Sequence, residues 1–288
     1  MRIKVLVTGS KGQLGQTIQQ LFGFQDENME FTYVSKKELD ITDKNQVDSF
    51  LNQHKFNYCI NCAAYTNVEQ AEKTPEIAFK VNAEGVKHLA QGCLKNNTVL
   101  IHVSTDYVFD GKKNKPYTEE DVPNPINEYG KSKLLGEQYI QEILSNYFII
   151  RTSWLYSKEF GHNFYKTIIS KINNKQELRI LTSQKGTPTN CEELSKFMVT
   201  LIKTQQCNFG IYHFSALGEA TWYDFALEIA KHFKYNSIYP IKPSEEPEQK
   251  TKRPLNSVLN NDKSKSIYPL IKHWKDVLNE TLKEVNKF

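Results

Sequence analysis

The sequence predicts an α/β protein: a doubly wound parallel sheet with a smaller α/β part interleaved with it. Three observations point there. Over the first 150 residues, short apolar runs alternate with stretches whose apolar residues recur at helical spacing. The first run passes directly into a turn bearing Gly9, Gly12 and Gly15, and then into a helix. From Tyr147-Phe148-Ile149-Ile150-Arg151 onward the rhythm breaks, and aromatics and prolines become denser, among them Trp154, Phe164, Pro188, Trp222, Pro243 and Pro254. We divide the chain at this point into 1–150 and 151–288. The second part is interleaved with the sheet, because Leu178-Arg179-Ile180 and Ile211-Tyr212-His213-Phe214 read as further strands.

Ile3 to Val7 is the first strand, and Leu14, Ile18, Leu21 and Phe22 mark the first helix. Between them Gly9 allows a tight turn, Gly12 lets backbone approach a diphosphate, and Gly15 lets helix and strand pack closely. The turn is therefore a dinucleotide cradle, although its glycines are spaced three and three rather than as Gly-x-Gly-x-x-Gly. The second strand, Phe31 to Val34, ends in Ser35-Lys36-Lys37. A free ribose 2′-hydroxyl is usually held there by an acid, and a 2′-phosphate by cations. With two lysines and no acid, the strand end favours NADPH, with NADH left open; solvated turn lysines are the alternative. Asp43 with Gln46 resembles a capping box, which leaves Asp40 as the adenine-side candidate. The third strand, Tyr58 to Ala63, ends in small residues that a cofactor can approach, and the fourth, Val99 to Val103, ends in Ser104-Thr105-Asp106-Tyr107. Hydroxyls at such a strand end can hydrogen-bond a carbonyl; a cap or turn role for Thr105 is the alternative.

One element later, Tyr129 and Lys133 stand four residues apart at a helix start, on one face. A lysine ammonium beside a phenol favours phenolate and lowers the phenol pKa, so the pair has the makings of an acid/base device. A solvated lysine with a tyrosine at the core edge would show the same spacing. Val277 to Val285 reads as a terminal helix, and Glu245 to Lys250 as an exposed loop.

Composition excludes more than it selects. With 39% hydrophobic and 24% charged residues, the chain can bury a core as a soluble globular protein. The net charge of +4 is spread along the chain, which gives no reason to expect nucleic acid. The densest basic cluster, Lys250-Thr251-Lys252-Arg253, is either a solvated loop or an anion site at Arg253. No signal peptide or membrane span is visible. The five scattered cysteines suit a reducing cytoplasm, and Cys59-x-x-Cys62 lacks a second pair for a metal.

The glycine cradle, the Ser-Thr-Asp-Tyr strand end and Tyr129-x-x-x-Lys133 occur in the order found in extended short-chain dehydrogenase/reductases, which are Rossmann-like. Ala63-Ala64-Tyr65-Thr66-Asn67-Val68-Glu69, Ser104 to Gly111, Arg151-Thr152-Ser153-Trp154-Leu155-Tyr156 and Arg253-Pro254-Leu255-Asn256-Ser257 sharpen the match. Through nearly the whole chain the sequence resembles the dTDP-4-dehydrorhamnose reductase family. The resemblance implies hydride transfer from NAD(P)H to C4 of dTDP-4-dehydro-L-rhamnose. Tyr129 would give the proton, Lys133 would lower the Tyr129 pKa and hold the nicotinamide ribose, and Thr105 would orient the keto oxygen. Asp106 and Trp154 would contact the nucleotide-sugar substrate. Gly12, Gln13, Leu14, Asp40, Ile41, Ala63, Ala64 and Tyr65 fall where the family binds its cofactor, with Gly9, Gly15 and Ser35 beside them.

Cys62 and Asn260 depart from the family's more usual Ala and Asp. Some members are metal-dependent dimers that use glutamates, which leaves a homodimer open. Glu192 and Glu193 are more simply favourable at a helix start, so no metal is expected. Two rival readings share the fold. One is a sugar-nucleotide epimerase that recycles a bound cofactor. The other is a non-catalytic, dinucleotide-binding regulatory subunit, which the presence of Thr105, Tyr129 and Lys133 argues against.

Overall fold

A computed structural model describes residues 2–23, 27–233, 241–244 and 251–285. The loop expected at 245–250 lies outside the described residues. In chain order the first elements are β1 (Ile3–Thr8), α1 (Gln13–Phe22), β2 (Met29–Val34), α2 (Lys44–His54), β3 (Tyr58–Asn61), α3 (Val68–Lys73), α4 (Pro75–Phe79), α5 (Gly85–Asn96), β4 (Val99–Thr105), α6 (Glu128–Ile143) and β5 (Tyr147–Thr152). There follow β6 (Leu155–Tyr156), α7 (Phe164–Asn173), β7 (Leu178–Leu181), β8 (Lys185–Gly186), β9 (Thr189–Asn190), α8 (Cys191–Lys203), β10 (Gly210–His213), β11 (Ala220–Thr221), α9 (Trp222–His232), β12 (Ile241–Ser244), α10 (Asp262–Ile267) and α11 (Trp274–Val285).

Six strands form one sheet in the order β10-β5-β4-β3-β1-β2, and every pairing in it is parallel. The chain therefore winds outward in both directions from β1, as a doubly wound fold requires. Residues on β1, β4 and β5 pack one face against α1 and α8, through Leu14, Ile18, Leu194, Phe197 and Met198. Leu6, Leu100 and Ile149 pack the other face against Val47, Leu51, Val86, Leu89 and Ile140. A separate core, containing Tyr156, Tyr165, Ile168, Phe225, Trp274 and Leu278, holds α7, α9 and α11 together.

The second part of the chain thus contributes β10 and α8 to the sheet and keeps a core of its own. Leu178 to Leu181 does form a strand, but it pairs with β12 rather than with the sheet. The helical stretch between β3 and β4 is interrupted by a π turn at Lys80–Glu84, a local widening that often marks a functional region. Here it buries Asn82, which accepts from Tyr65 N–H at 2.8 Å and donates to Tyr65 O at 2.9 Å and Ser132 Oγ at 3.0 Å. The loop after β3 is thereby tied to α6. Asp43 caps α2 by accepting from Asn45 and Gln46 N–H groups, but the reciprocal half of the expected capping box is missing. Gln46 Oε1 instead accepts from Asp40 N–H at 3.2 Å. Among the described residues no helix is long and apolar enough to cross a membrane.

Candidate active site

A cavity of about 570 Å³ opens beyond the carboxyl ends of the central strands, where open α/β sheets hold their ligands. It is lined by Gly12, which caps α1, Gln13 and Leu14 in its first turn, Ala64 after β3, Thr105 at the end of β4 and Asp106 after it, Tyr129 and Lys133 on α6, and Trp154 after β5. A wider groove of about 1140 Å³ over Asp110, Thr182 and Lys185 is shallow and shares none of these side chains. We build the site in the smaller cavity because it gathers the groups that can move protons.

The placement of Tyr129 and Lys133 starts with Asn127, which caps α6 by accepting from Gly130 N–H at 2.8 Å. Gly130 lets the helix lie against the Tyr107 carbonyl, 2.2 Å from where a Cβ would sit. The Tyr107 and Tyr129 rings meet edge to face at 5.8 Å. Thr105 donates to Asp106 Oδ1 at 3.1 Å and accepts from Tyr107 N–H at 3.2 Å. Burial raises the Tyr129 pKa above its ordinary value, the Thr105 hydroxyl pulls it back, and Asp106 and Tyr107 raise it further. Tyr129 therefore keeps its proton at neutral pH, which suits a donor. Asp106 is 2% exposed, and burial pushes its carboxyl up to about 7 against hydrogen bonds from Ser257 and Thr105.

Lys133 does not pull on Tyr129 as the sequence suggested. Its ammonium or amine Nζ lies 2.7 Å from the Val103 carbonyl and 3.1 Å from His102 Nε2, and burial lowers its pKa to about 8 while Glu137 and Cys62 oppose that shift. Beneath it, Arg151 is bidentate to Glu137, which also accepts from Ser104 Oγ at 2.5 Å.

The glycine turn fits a dinucleotide. Gly9 has φ +67° and sits so close to β3 that a Cβ would lie 2.5 Å from Ala63 N. A Cβ on Gly15 would lie 2.6 Å from Gly9 O. Gly12 caps α1 with no side-chain hydrogen bond, and the first turn holds no acid. The N–H groups there are free to face an anion. Gln13, which lines the cavity, also donates to Leu155 O and accepts from Asn163 Nδ2, both at 3.3 Å, and so ties the turn to the second part of the chain.

Gly9, Gly15, Ser35, Asp40, Ile41, Ala63 and Tyr65 do not line the cavity. Asp40 pairs with Lys36 at 3.6 Å and accepts from Thr42. The end of β2 also holds an acid that the sequence reading missed. Glu38, one turn past Ser35, accepts from Ser35 N–H at 2.7 Å and from its hydroxyl.

Other side chains join the site from elsewhere in the chain; of these the sequence singles out Arg253 as a possible anion site but gives no sign of Trp222 there. An adjoining cavity of about 410 Å³ adds Glu69, Trp222 and Arg253 to Thr105, Tyr129 and Trp154. Trp154 and Trp222 stack at 3.6 Å and 7°, although they are far apart in sequence. Trp154 holds φ +46°, a strained conformation for a bulky residue. Gly186 makes room for its ring, since a Cβ there would lie 2.5 Å from Trp154 Cε2. Arg253 donates to Glu69 at 3.3 Å, and its Nε is buried without a partner among the described residues. The anion reading of Arg253 is the one with a cavity to serve. Glu192 and Glu193 turn instead to Lys158 at 3.6 Å and Lys196 at 2.8 Å. Among the described residues no three His, Cys, Asp or Glu side chains are grouped to share a metal ion.

The family model described as RmlD substrate binding domain matches residues 2–287. A dTDP-4-dehydrorhamnose reductase of Aggregatibacter actinomycetemcomitans is 38% identical over 78% of each chain. That of Escherichia coli K12 is 31% identical over 93% of each. The chain belongs to the dTDP-4-dehydrorhamnose reductase family. Among solved structures, the dTDP-4-dehydrorhamnose reductase of Bacillus anthracis in complex with NADP has a TM-score of 0.92 at 34% identity, covering 99% of this chain and 100% of that one. A UDP-glucose 4-epimerase of Thermus thermophilus in complex with NAD, at 16% identity and a TM-score of 0.81, shares the fold. In this chain Thr105, Tyr129 and Lys133 line one cavity.

Proposed function

We propose that the protein is an NADPH-dependent oxidoreductase that reduces the C4 keto group of dTDP-4-dehydro-L-rhamnose to give dTDP-L-rhamnose. The supporting observation is a single cavity that joins the uncapped start of α1 to a protonated Tyr129 beside Thr105, in a chain of this family. Bound NADPH supplies the hydride. The α1 N-terminus and Gly12 would hold its diphosphate, with Ala64 beside it, and Lys133 would hold its ribose. Thr105 orients the keto oxygen, and Tyr129 gives its proton to the alkoxide oxygen that forms there. Asp106, Trp154 and Trp222 bind the sugar, and Arg253 offers the cation for its diphosphate. In this division of labour residues 1–150 hold the dinucleotide and 151–288 mainly hold the substrate. The five free cysteines suit a reducing cytoplasm, and light scattering decides between a monomer and a homodimer.

The test is loss of NADPH absorbance when purified protein meets dTDP-4-dehydro-L-rhamnose, with the sugar product identified by NMR. We expect one NADPH oxidised per dTDP-L-rhamnose formed. Turnover of a sugar nucleotide without net NADPH oxidation would point to an epimerase instead. Cofactor binding without any turnover across a panel of keto sugars would point to a regulatory subunit.

A further inference from the structure

One charge bordering the substrate cavity opposes the ligand assigned to it. The reading above gives Arg253 to a diphosphate, yet the carboxylate that already meets Arg253, Glu69, borders the same cavity, where it repels an anion. Glu69 stands in the first turn of α3, but that turn has its own cap, because Asn67 Oδ1 accepts from Gln70 N–H at 3.0 Å. The Glu69 carboxylate instead accepts from Thr251 Oγ1 at 2.8 Å with one oxygen and from Arg253 Nη2 at 3.3 Å with the other.

The contact with Arg253 is a loose one. At their best, a guanidinium and a carboxylate share two parallel N–H···O bonds of about 2.7–2.9 Å. Here a single nitrogen reaches Glu69, at 3.3 Å, and Nε is buried with no partner among the described residues. Arg253 also hydrogen-bonds Tyr107, whose pKa burial raises to about 12 against that bond and the arginine charge. The guanidinium is therefore held but not satisfied, and a phosphate can take Nε and an Nη together. Ligand has access to it: Arg253 borders the substrate cavity, the wide groove over Asp110, and a further cavity of about 370 Å³ between Phe164 and Leu181.

Nor does the chain segment need this ion pair to stay in place. Asn127 Nδ2 donates to Lys252 O at 3.0 Å, Asn256 N–H to Gly111 O at 3.2 Å, and Ser257 N–H to Lys185 O at 2.8 Å. Thr251 keeps its bond to Glu69 when Arg253 turns away. Asp106, the other carboxyl bordering this cavity, is pushed up to about 7 by burial, which leaves Glu69 as the main negative charge there.

We propose that Glu69 is a positioning residue that acts as a built-in counter-ion: it holds Arg253 until the diphosphate of a sugar nucleotide displaces it, and so weakens binding and hastens release. This rests on the reading of the cavity as a sugar-nucleotide site, and its sign is opposite to that of a permanent clamp. A clamp that kept Arg253 in its binding pose would lose affinity on removal of the carboxylate, whereas a competitor gives affinity back.

The test is calorimetric titration of dTDP into NADPH-loaded protein. Glu69→Gln keeps an acceptor for Thr251 and should lower the Kd for dTDP by roughly two- to fivefold, the range of a partly exposed ion pair. In an Arg253→Gln background there is no cation to compete for, so the same change should gain less. An unchanged or raised Kd in Glu69→Gln would overturn the inference. So would an equal gain in both backgrounds, which marks plain repulsion without exchange. The unaltered protein gives a second readout, because it has only four arginines: in ¹⁵N-arginine-labelled protein the Arg253 Nε–H signal should move as dTDP binds, and a signal that stays in place would equally overturn the exchange. A parent protein that binds no dTDP would remove both the inference and the reading of the site. One that binds dTDP, with Glu69→Gln binding no tighter, would remove the inference alone and leave the reductase reading standing.

Discussion

Arg151→Met should be among the most destabilising single changes in the sheet. Arg151 is 2% exposed and Glu137 is fully buried. Three N–H···O contacts join them at 2.7, 3.1 and 3.2 Å, and the guanidinium also lies 5.2 Å over the Phe109 ring. Removing the arginine leaves Glu137 with the Ser104 hydroxyl as its remaining side-chain donor. Hydrogen bonds to charged groups contribute about 1.5–3 kcal/mol each, and breaking one side of a buried pair typically costs about 3–5 kcal/mol. With a urea slope of about 3 kcal/mol/M, the unfolding midpoint should fall by roughly 1–1.7 M. Replacing both partners, Arg151→Met with Glu137→Leu, should recover most of that loss, because no charge is left behind. Urea titrations of the three proteins followed by circular dichroism read both effects. A single variant within about 0.3 M of the parent, or a double variant worse than the single, would refute the reasoning.

Three further outcomes follow from the site. Asp106 binds its proton up to about pH 7 when folded and to about pH 4 when unfolded. Its contribution to stability is therefore present below pH 4 and lost as pH rises through 7, by on the order of 4 kcal/mol. Asp106→Asn should flatten the melting temperature between pH 5 and 8, and an unchanged slope would mean the carboxyl titrates normally. Gly186→Ala should displace Trp154 from its stack with Trp222, at about 0.5–1.5 kcal/mol. That corresponds to a roughly two- to tenfold rise in KM for the sugar nucleotide, and an unchanged KM would take Trp154 out of the substrate site. At the end of β2, Lys36→Glu with Lys37→Glu should lower kcat/KM for NADPH relative to NADH, and Glu38→Gln should raise it. A ratio unmoved by both would mean that this strand end does not read the 2′ position.

The parallel, doubly wound sheet and the glycine turn were legible because both follow from pattern along the chain: apolar runs, helical spacing, and glycines between them. Tyr129 and Lys133 were legible as a pair because helix geometry alone puts them on one face. What each side chain faces was not. The partner of Lys133 is His102, brought beside it by strand register, and the expected lysine–tyrosine coupling gave way to that contact. Glu38 escaped notice because it reaches Ser35 through a turn rather than from the strand itself. Trp222 joins Trp154 only because α9 packs against the loop after β5, and Gln13 ties two parts of the chain together through groups far along the sequence.

The central claim is that Tyr129 supplies the proton that accompanies hydride transfer. The direct measurement is single-turnover oxidation of NADPH by dTDP-4-dehydro-L-rhamnose, comparing the parent protein with Tyr129→Phe after confirming equal cofactor binding by fluorescence. We expect the rate to fall by roughly 10²–10⁴-fold in the variant. A rate within a few-fold of the parent would contradict the role assigned to Tyr129 and with it the proposed mechanism.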